Sequence, residues 1–235
     1  MAGRKYYLVS ALPSLGDLGS VPPLALGALR EHAAETAGAR DLVDAVLVGD
    51  DLLQRDAALA GEIETPEPSV LTLEQVRGEQ PLPAHLAAEA DPAARSVGGD
   101  AVWAAYFRHA AAVARRRGSR FLADWVGSEV ALRTTLTTAR AKALGLDPAD
   151  YLVAADLADP GADFSELVAN WAAAANPLEG LRVLDRGRWQ WLADHEAWFS
   201  FSDDELAVYA ARLVLLTRWH RMTAGAAAGG RPADA

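Results

Sequence analysis

Hydrophobic positions along most of the chain recur every three or four residues, the spacing of one face of an α-helix. The pattern is strongest over residues 100–118, over residues 119–145 and in the stretch that begins at Ser202. Weaker patterns predict helices over about residues 24–37 and from Asp41 onward. The last helix carries its apolar residues on one stripe: Leu206, Tyr209, Leu213, Leu216 and Trp219. The pattern as a whole predicts an all-α protein built from one or more helical bundles.

Capping and breaking residues predict where several helices begin and end. Thr72 and Gln75 have the spacing of a capping box, in which each side chain bonds the backbone amide of the other residue. Gly118 and Gly145 follow helical patterns at the position where a left-handed backbone conformation ends a helix. Gly38 is predicted to end the first helix in the same way.

The N-terminal stretch KYYLVSALPSL, residues 5–15, has no helical spacing. Residues 6–12 are predicted to form a short extended segment that Pro13 ends. The stretch is too short and too rich in tyrosine to be a secretion signal. We expect a single helical domain over residues 1–222, either undivided or in two sub-bundles joined through residues 61–100, and a flexible tail at 223–235.

Composition agrees with a helical fold and narrows the classes of function. Of the 235 residues, 51% are hydrophobic, and alanine and leucine, which favour helices, predominate. The net charge of −10 repels phosphate backbones, so nucleic acid is not an expected partner. The absence of cysteine excludes disulfides and thiolate chemistry and suits a reducing compartment. No run approaches the roughly 20 apolar residues that span a bilayer, so we expect a soluble, cytoplasmic protein.

The sequence contains none of the common catalytic or cofactor-binding motifs. Its histidines form neither HxxxH nor HExxH, and its glycine-bearing loops lack the phosphate-binding fingerprints. Asp194, His195 and Glu196 are the densest titratable cluster, but successive helical residues point in different directions. We therefore expect no catalytic residue, no metal site and no cofactor. An all-α enzyme that uses carboxylates near His195 is kept as the catalytic alternative.

Two groups of residues are candidates for structural or partner contacts. Glu129 and Arg133 are four residues apart in the favourable order for a helical ion pair and lie among apolar residues. This spacing predicts either a structural ion pair or a contact to a partner. Trp189 and Trp191 lie close to Trp198, and such rings, at roughly 150–250 Å² each, dominate a core or an interface.

Three segments, in this order, resemble a family of short proteins encoded in bacterial V-type ATPase operons. They are KYYLVSALPSL, FLADWVGSEVALRTTLTTARAKALG and RWQWLADHEAWFSFSDDELAVYAARLVLLTRW. In the middle segment the family pattern is an apolar residue followed by Glu, two residues and Leu-Arg-Asn, with Arg-Ala further on. Thr134 stands where the family has asparagine, and Ser128 where it often has an aromatic residue. The matching positions are Glu129, Leu132, Arg133 and Arg140.

The resemblance implies a non-catalytic function, because that family is similar to the rotary-ATPase socket protein, called C in archaeal-type ATP synthases and d in V-type ATPases. This socket protein lies on the cytoplasmic face of the proteolipid ring and accepts the central stalk formed by subunits D and F. By resemblance, this chain is a reduced version of that socket. It is expected to be an accessory subunit with those partners, peripheral to the inner face of the plasma membrane.

The alternative is a free-standing helical protein-binding or assembly module. The residues expected to carry the family pattern or an interface are Glu129, Leu132, Arg133, Arg140, Trp189, Trp191 and Trp219.

Overall fold

The computed structural model of the chain describes residues 8–87, 98–196, 200 and 202–229. The described residues contain no β-strand, so the prediction of an all-α protein is confirmed. The α-helices are α1 (Leu26–Ala33), α2 (Ala37–Leu59), α3 (Leu73–Val76), α4 (Gly98–Arg117), α5 (Arg120–Ala143), α6 (Ser165–Ala172), α7 (Pro177–Asp194) and α8 (Asp203–Gly229). Two short 3-10 helices, Pro148–Tyr151 and Ala155–Leu157, join α5 to α6.

Helices α2 and α8 form the centre of the bundle and pack extensively against each other. Both are buried on nearly all sides over part of their length: every residue is buried over 45–48 in the middle of α2 and over 205–211 in the first turns of α8. A helix that is apolar around its whole circumference is stable only inside a core. Helices α1 and α4 pack on α2, α5 packs on α4, and α7 packs on α8.

A second, smaller core lies between α5 and the hairpin formed by α6 and α7. Its buried residues are Leu132, Leu136, Val168 and Leu184. Gly187 lets α6 and α7 approach closely, because a Cβ atom there would lie 2.6 Å from a methyl carbon of Leu167. Helix α5 contributes to both cores, since Leu122, Val126 and Val130 belong to the main one.

Part of the N-terminal segment that was expected to be extended is helical. Residues 8–10 are helical and Leu8 is fully buried, whereas residues 5–7 lie outside the described part of the chain. The structure places no strand beside the described part of this segment, and a helical turn lets the backbone bond to itself. The Nε2 atom of His32 lies 2.7 Å from the carbonyl oxygen of Leu8, and the Tyr209 hydroxyl donates to the carbonyl oxygen of Pro13 at 2.8 Å.

Several predicted helix limits are confirmed. Thr72 and Gln75 form a capping box in both directions at the start of α3. Gly118 and Gly145 have φ values of +66° and +69°, the left-handed conformation that ends α4 and α5. Helix α8 continues to Gly229, past the boundary expected at residue 222.

Gly38 does not end a helix, in contrast to the prediction. Helix α1 ends earlier, at Ala33, and the extended backbone of Thr36 precedes the first turn of α2, which contains Gly38. A Cβ atom on Gly38 would lie 2.5 Å from a carboxylate oxygen of Asp203. This glycine therefore provides room for the start of α8 rather than a break in the chain.

No helix of the described residues combines the length and the hydrophobicity needed to cross a bilayer.

Candidate functional site

A cavity of about 90 Å³ lies among α2, α4, α5, α7 and α8. Leu53 of α2 also lines it and is 38% exposed, so the cavity reaches the surface of the bundle. Charged groups and aromatic rings converge here from separate helices, which is the usual character of a binding site. The residues that define its chemistry are Trp103, Tyr106, Trp125, Glu129, Arg133 and Arg188.

Glu129 pairs with Arg188 of α7, not with Arg133 as its spacing predicted. The Nε and Nη2 atoms of Arg188 donate to the two carboxylate oxygens at 2.7 and 3.1 Å, and both side chains are 18% exposed. Arg188 also donates to the fully buried Asp185 at 3.3 Å, and Arg218 of α8 donates to the same carboxylate. This charge network joins α5, α7 and α8. Burial disfavours the charge on Arg188, but its two carboxylates raise the pKa of the guanidinium above its usual range.

Arg133 has a different environment from Arg188. Its guanidinium carbon lies 4.0 Å from the centre of the Trp103 ring and 5.6 Å from that of Phe107. Among the described residues it donates no hydrogen bond to a carboxylate and forms no ion pair. Burial lowers the pKa of Arg133, and nearby carboxylates, Glu129 first among them, oppose this effect. Arg133 is thus a cation held by aromatic faces, and no carboxylate of the described chain takes its N–H groups.

Tyr106 forms part of the cavity wall and ties α4 to α2. Its hydroxyl donates to the carbonyl oxygen of Ala45 at 3.1 Å. A Cβ atom on Gly49 would lie only 2.7 Å from the hydroxyl oxygen, so glycine is required for this contact. Burial raises the pKa of Tyr106 further above its ordinary value, at which the hydroxyl is already protonated and able to donate at neutral pH.

The adjacent carboxylates Asp50 and Asp51 serve separate structural purposes and do not form an acid–base pair. Asp51 is fully buried and accepts hydrogen bonds from the backbone amides of residues 69–71, each at 2.8 Å. Asp50 accepts from Gln54 at 2.9 Å and pairs with Arg221 of α8 at 3.2 Å. Asp51 therefore fixes the loop before α3, whereas Asp50 ties α2 to α8.

The cluster around His195 does not converge on one point. The His195 ring stacks on Trp191 with ring centres 3.8 Å apart, and its Nδ1 atom lies 2.8 Å from the carbonyl oxygen of Trp191. Asp194 accepts a hydrogen bond from a glutamine one turn earlier, whereas Glu196 pairs with an arginine of α8. Neither the central cavity nor the cleft described below is lined by these three residues.

Trp189 and Trp219 are partly buried against other parts of the chain. Trp189 packs on the main core and lies beneath the guanidinium of Arg212, 4.4 Å from its carbon. The ring of Trp219 lies 5.5 Å from the guanidinium carbon of Arg186. Trp198, the third member of the sequence cluster, lies outside the described residues.

A second concave site is an open cleft of about 690 Å³ between the end of α5 and the α6–α7 hairpin. Alanine side chains form much of its surface, together with Trp171, whose ring centre lies 4.8 Å from the guanidinium carbon of Arg140. Exposed leucines follow its lining residues in the sequence: Leu144 is 73% exposed, and Leu146 and Leu178 are also exposed. Leu144 and Leu178 directly follow cleft-lining residues, and exposed apolar surface at a concave site is typical of a surface that binds another molecule.

The four residues that carry the family pattern all lie on α5 but face different surroundings. Glu129 and Arg133 line the central cavity. Leu132 is 2% exposed and belongs to the smaller core. Arg140 lines the open cleft. The four residues are thus divided among the central cavity, the smaller core and the open cleft.

The described residues contain no group of three or more histidine or acidic side chains that could hold a metal ion. The rings of His85 and His109 form a tilted pair with centres 4.1 Å apart. No protein-family model, curated protein or solved structure matches the chain significantly.

Proposed function

We propose that the protein is a non-catalytic accessory or central-stalk subunit of a bacterial V/A-type rotary ATPase, where it links the stalk to the membrane rotor ring. The resemblance of three segments, in order, to proteins of V-type ATPase operons supports this proposal. An all-helical fold is also what that resemblance leads one to expect. Its partners would be stalk subunits D and F and the proteolipid ring.

The observation that carries the proposal is the open cleft at the end of α5. A cleft of about 690 Å³ with alanine-rich walls, whose lining residues Ala143 and Pro177 are followed in the chain by exposed leucines, is suited to receive a helix of another protein. Helix α5, which carries the most specific part of the family pattern, supplies one wall through Arg140.

Charge adds a second property to this surface. The whole chain has a net charge of −10, whereas Arg140 and Lys142 are exposed at the end of α5 beside the cleft. Charged groups around an apolar contact mainly set its specificity and association rate, and salt screens them. Assembly with a partner should therefore be sensitive to salt.

Affinity purification of the tagged full-length protein from its native cells, at low salt and followed by mass spectrometry, tests the proposal. We expect subunits D and F and the proteolipid to be enriched over a purification with the tag alone. Recovery with the intact ATPase supports a permanent subunit. Recovery with incomplete assemblies alone favours the alternative, an assembly module, and absence of every ATPase subunit contradicts both.

The catalytic alternative near His195 gains no support from these contacts. Asp194, His195 and Glu196 have separate partners, and a general acid–base pair must share a substrate within hydrogen-bonding reach.

A further inference from the structure

The charged groups at the central cavity are paired, with one exception among the described residues. Arg188 is bound by Glu129 and by Asp185, and Asp185 also binds Arg218. Both oxygens of the Glu129 carboxylate are occupied by Arg188. The cation left over is Arg133, which lines the cavity without a carboxylate acceptor for its N–H groups in the described chain.

Two further carboxylates lie near Arg133, but neither takes its N–H groups. Asp56 accepts a hydrogen bond from the indole nitrogen of Trp103 at 2.8 Å. Asp100 is close enough to interact electrostatically with Arg133, yet the two form no ion pair within the described chain. The guanidinium of Arg133 lies over the Trp103 ring and donates to no carboxylate of the described chain, so its N–H groups stay available for an acceptor.

We propose that the central cavity binds a small monocarboxylate, of the size of acetate, on the N–H edge of Arg133. A carboxylate matches two parallel N–H groups of a guanidinium, which makes this pair stronger than a hydrogen bond between neutral groups. The rings of Trp103, Tyr106 and Phe107 line the same cavity and provide an apolar wall for a methyl group. This inference goes beyond the proposed function and does not depend on it.

The cavity also limits the size and charge of the ligand. A volume of about 90 Å³ is well below the roughly 150 Å³ of an apolar cavity that holds benzene, so the enclosed part of the site has room for a ligand of only a few heavy atoms. Glu129 and Asp50 line the same cavity but are paired with Arg188 and Arg221, so the positive charge left for a ligand is that of Arg133, and a second negative charge on the ligand would find no free cation there. A small monocarboxylate is therefore favoured over phosphate.

Titration of the full-length protein with sodium acetate tests the inference, with sodium chloride at equal ionic strength as the control. Thermal unfolding should show a saturable rise in Tm, about 5 °C when acetate reaches about 100 times its Kd. Isothermal titration calorimetry should give a single site, with a clearly smaller response to phosphate. Equal responses to acetate and chloride, or to acetate and phosphate, would overturn the inference.

Three variants locate the ligand. Arg133→Gln should weaken acetate binding about tenfold or more, because the charge-assisted fork is lost. Arg140→Gln is the matched control, since Arg140 also stacks on a tryptophan but lines the other site, and its acetate affinity should equal that of the wild type. Leu53→Trp keeps Arg133 and narrows the partly exposed edge of the cavity, so it should also weaken binding and provides the test if Arg133→Gln does not fold. Unchanged affinity in Arg133→Gln or Leu53→Trp would place the ligand elsewhere and reject the site.

Discussion

At the scale of single residues, Arg188 links three helices, α5, α7 and α8, and no sequence pattern indicated this role. It lies on α7, binds Glu129 of α5 in a bidentate fork and shares Asp185 with Arg218 of α8. Removing one partner of a buried pair leaves the other charge without compensation, which is costlier than removing both. Loss of Arg188 would therefore destabilise the fold mainly because the carboxylate of Glu129 would be left buried without its partner.

Arg188→Met should lower the free energy of unfolding by about 3–5 kcal/mol, because Glu129 then stays buried and unpaired. The double variant Glu129→Leu/Arg188→Met should be less destabilised than the single one, since no lone charge is left between α5 and α7. Urea denaturation followed by circular dichroism measures both. The matched control is Arg120→Met, which removes an ion pair whose arginine is 92% exposed and should leave stability unchanged. A double variant less stable than the single one would contradict this account.

The buried carboxyl of Asp51 should make the free energy of unfolding decrease as the pH rises. Burial raises the pKa of the Asp51 carboxyl to about 6, against the opposing effect of the amides of residues 69–71. The folded state therefore holds this proton more tightly than the unfolded state does. The stability from this group is fully present below the ordinary aspartate pKa, about 4, and is lost as the pH rises through about 6.

The free energy of unfolding of the wild type, minus that of Asp51→Asn, should thus fall as the pH is raised from about 4 to about 6.5. Asparagine removes the titration at this position while keeping the shape of the side chain. Urea unfolding of both proteins across this pH range measures the difference. A difference that increases with pH would mean that the three amides lower the pKa of Asp51 more than burial raises it.

At the scale of helices, close packing depends on small residues at particular contacts. Gly49 of α2 lies against the hydroxyl of Tyr106 of α4, and Gly187 of α7 lies against Leu167 of α6. The Tyr106 ring is buried, and its hydroxyl donates a hydrogen bond to the carbonyl oxygen of Ala45. The tyrosine therefore has less freedom to move than the side chain of Leu167. The contact between α2 and α4 is therefore the less tolerant of the two.

Gly49→Ala should destabilise the protein by about 1–3 kcal/mol, because the added methyl group forces Tyr106 away from Ala45. Gly27→Ala in α1 is the control: no atom lies within 4 Å of the position that its Cβ would take, so alanine should stabilise the helix by up to about 1 kcal/mol. Thermal and urea unfolding of the two variants should differ in sign. Equal effects would show that helix propensity, not packing, decides both positions.

The same scale explains how much of the fold could be predicted from sequence. The capping box at Thr72 and the glycines at 118 and 145 act within a few residues, so local sequence contains the information. The prediction for Gly38 was wrong because the reason for this glycine is a contact with Asp203, far away in the chain.

The candidate site was harder to predict for the same reason. The pair of Glu129 and Arg188 is separated by 59 positions, and no pattern within α5 indicates it. The sequence predicts that Arg133 pairs with Glu129. In the structure Glu129 binds Arg188 instead, and the guanidinium of Arg133 lies over the ring of Trp103.

At the scale of the whole molecule, the main core opens to the surface at the central cavity, and the end formed by α5, α6 and α7 exposes apolar side chains. The small core there is built on four buried residues, and the cleft beside it is open. The proposed socket function assigns this end to a partner.

Leu144→Glu should weaken binding to the stalk complex by about tenfold or more, because it places a charge at the edge of an apolar contact. Val21→Glu is the matched control, since Val21 is 72% exposed and Leu144 is 73% exposed, but Val21 lies in the loop before α1. Neither change alters a buried residue, so both variants should unfold like the wild type. Equal binding by the two variants would show that the cleft end is not the contact surface.

The most direct test of the proposed function is the binding of the purified protein to the purified D–F stalk complex and to proteolipid rings of the same organism. Analytical ultracentrifugation at low and at high salt measures it for each partner. The account predicts saturable association with the stalk complex or the ring at low salt, which weakens as salt is raised. Absence of association with both partners at low salt would contradict it.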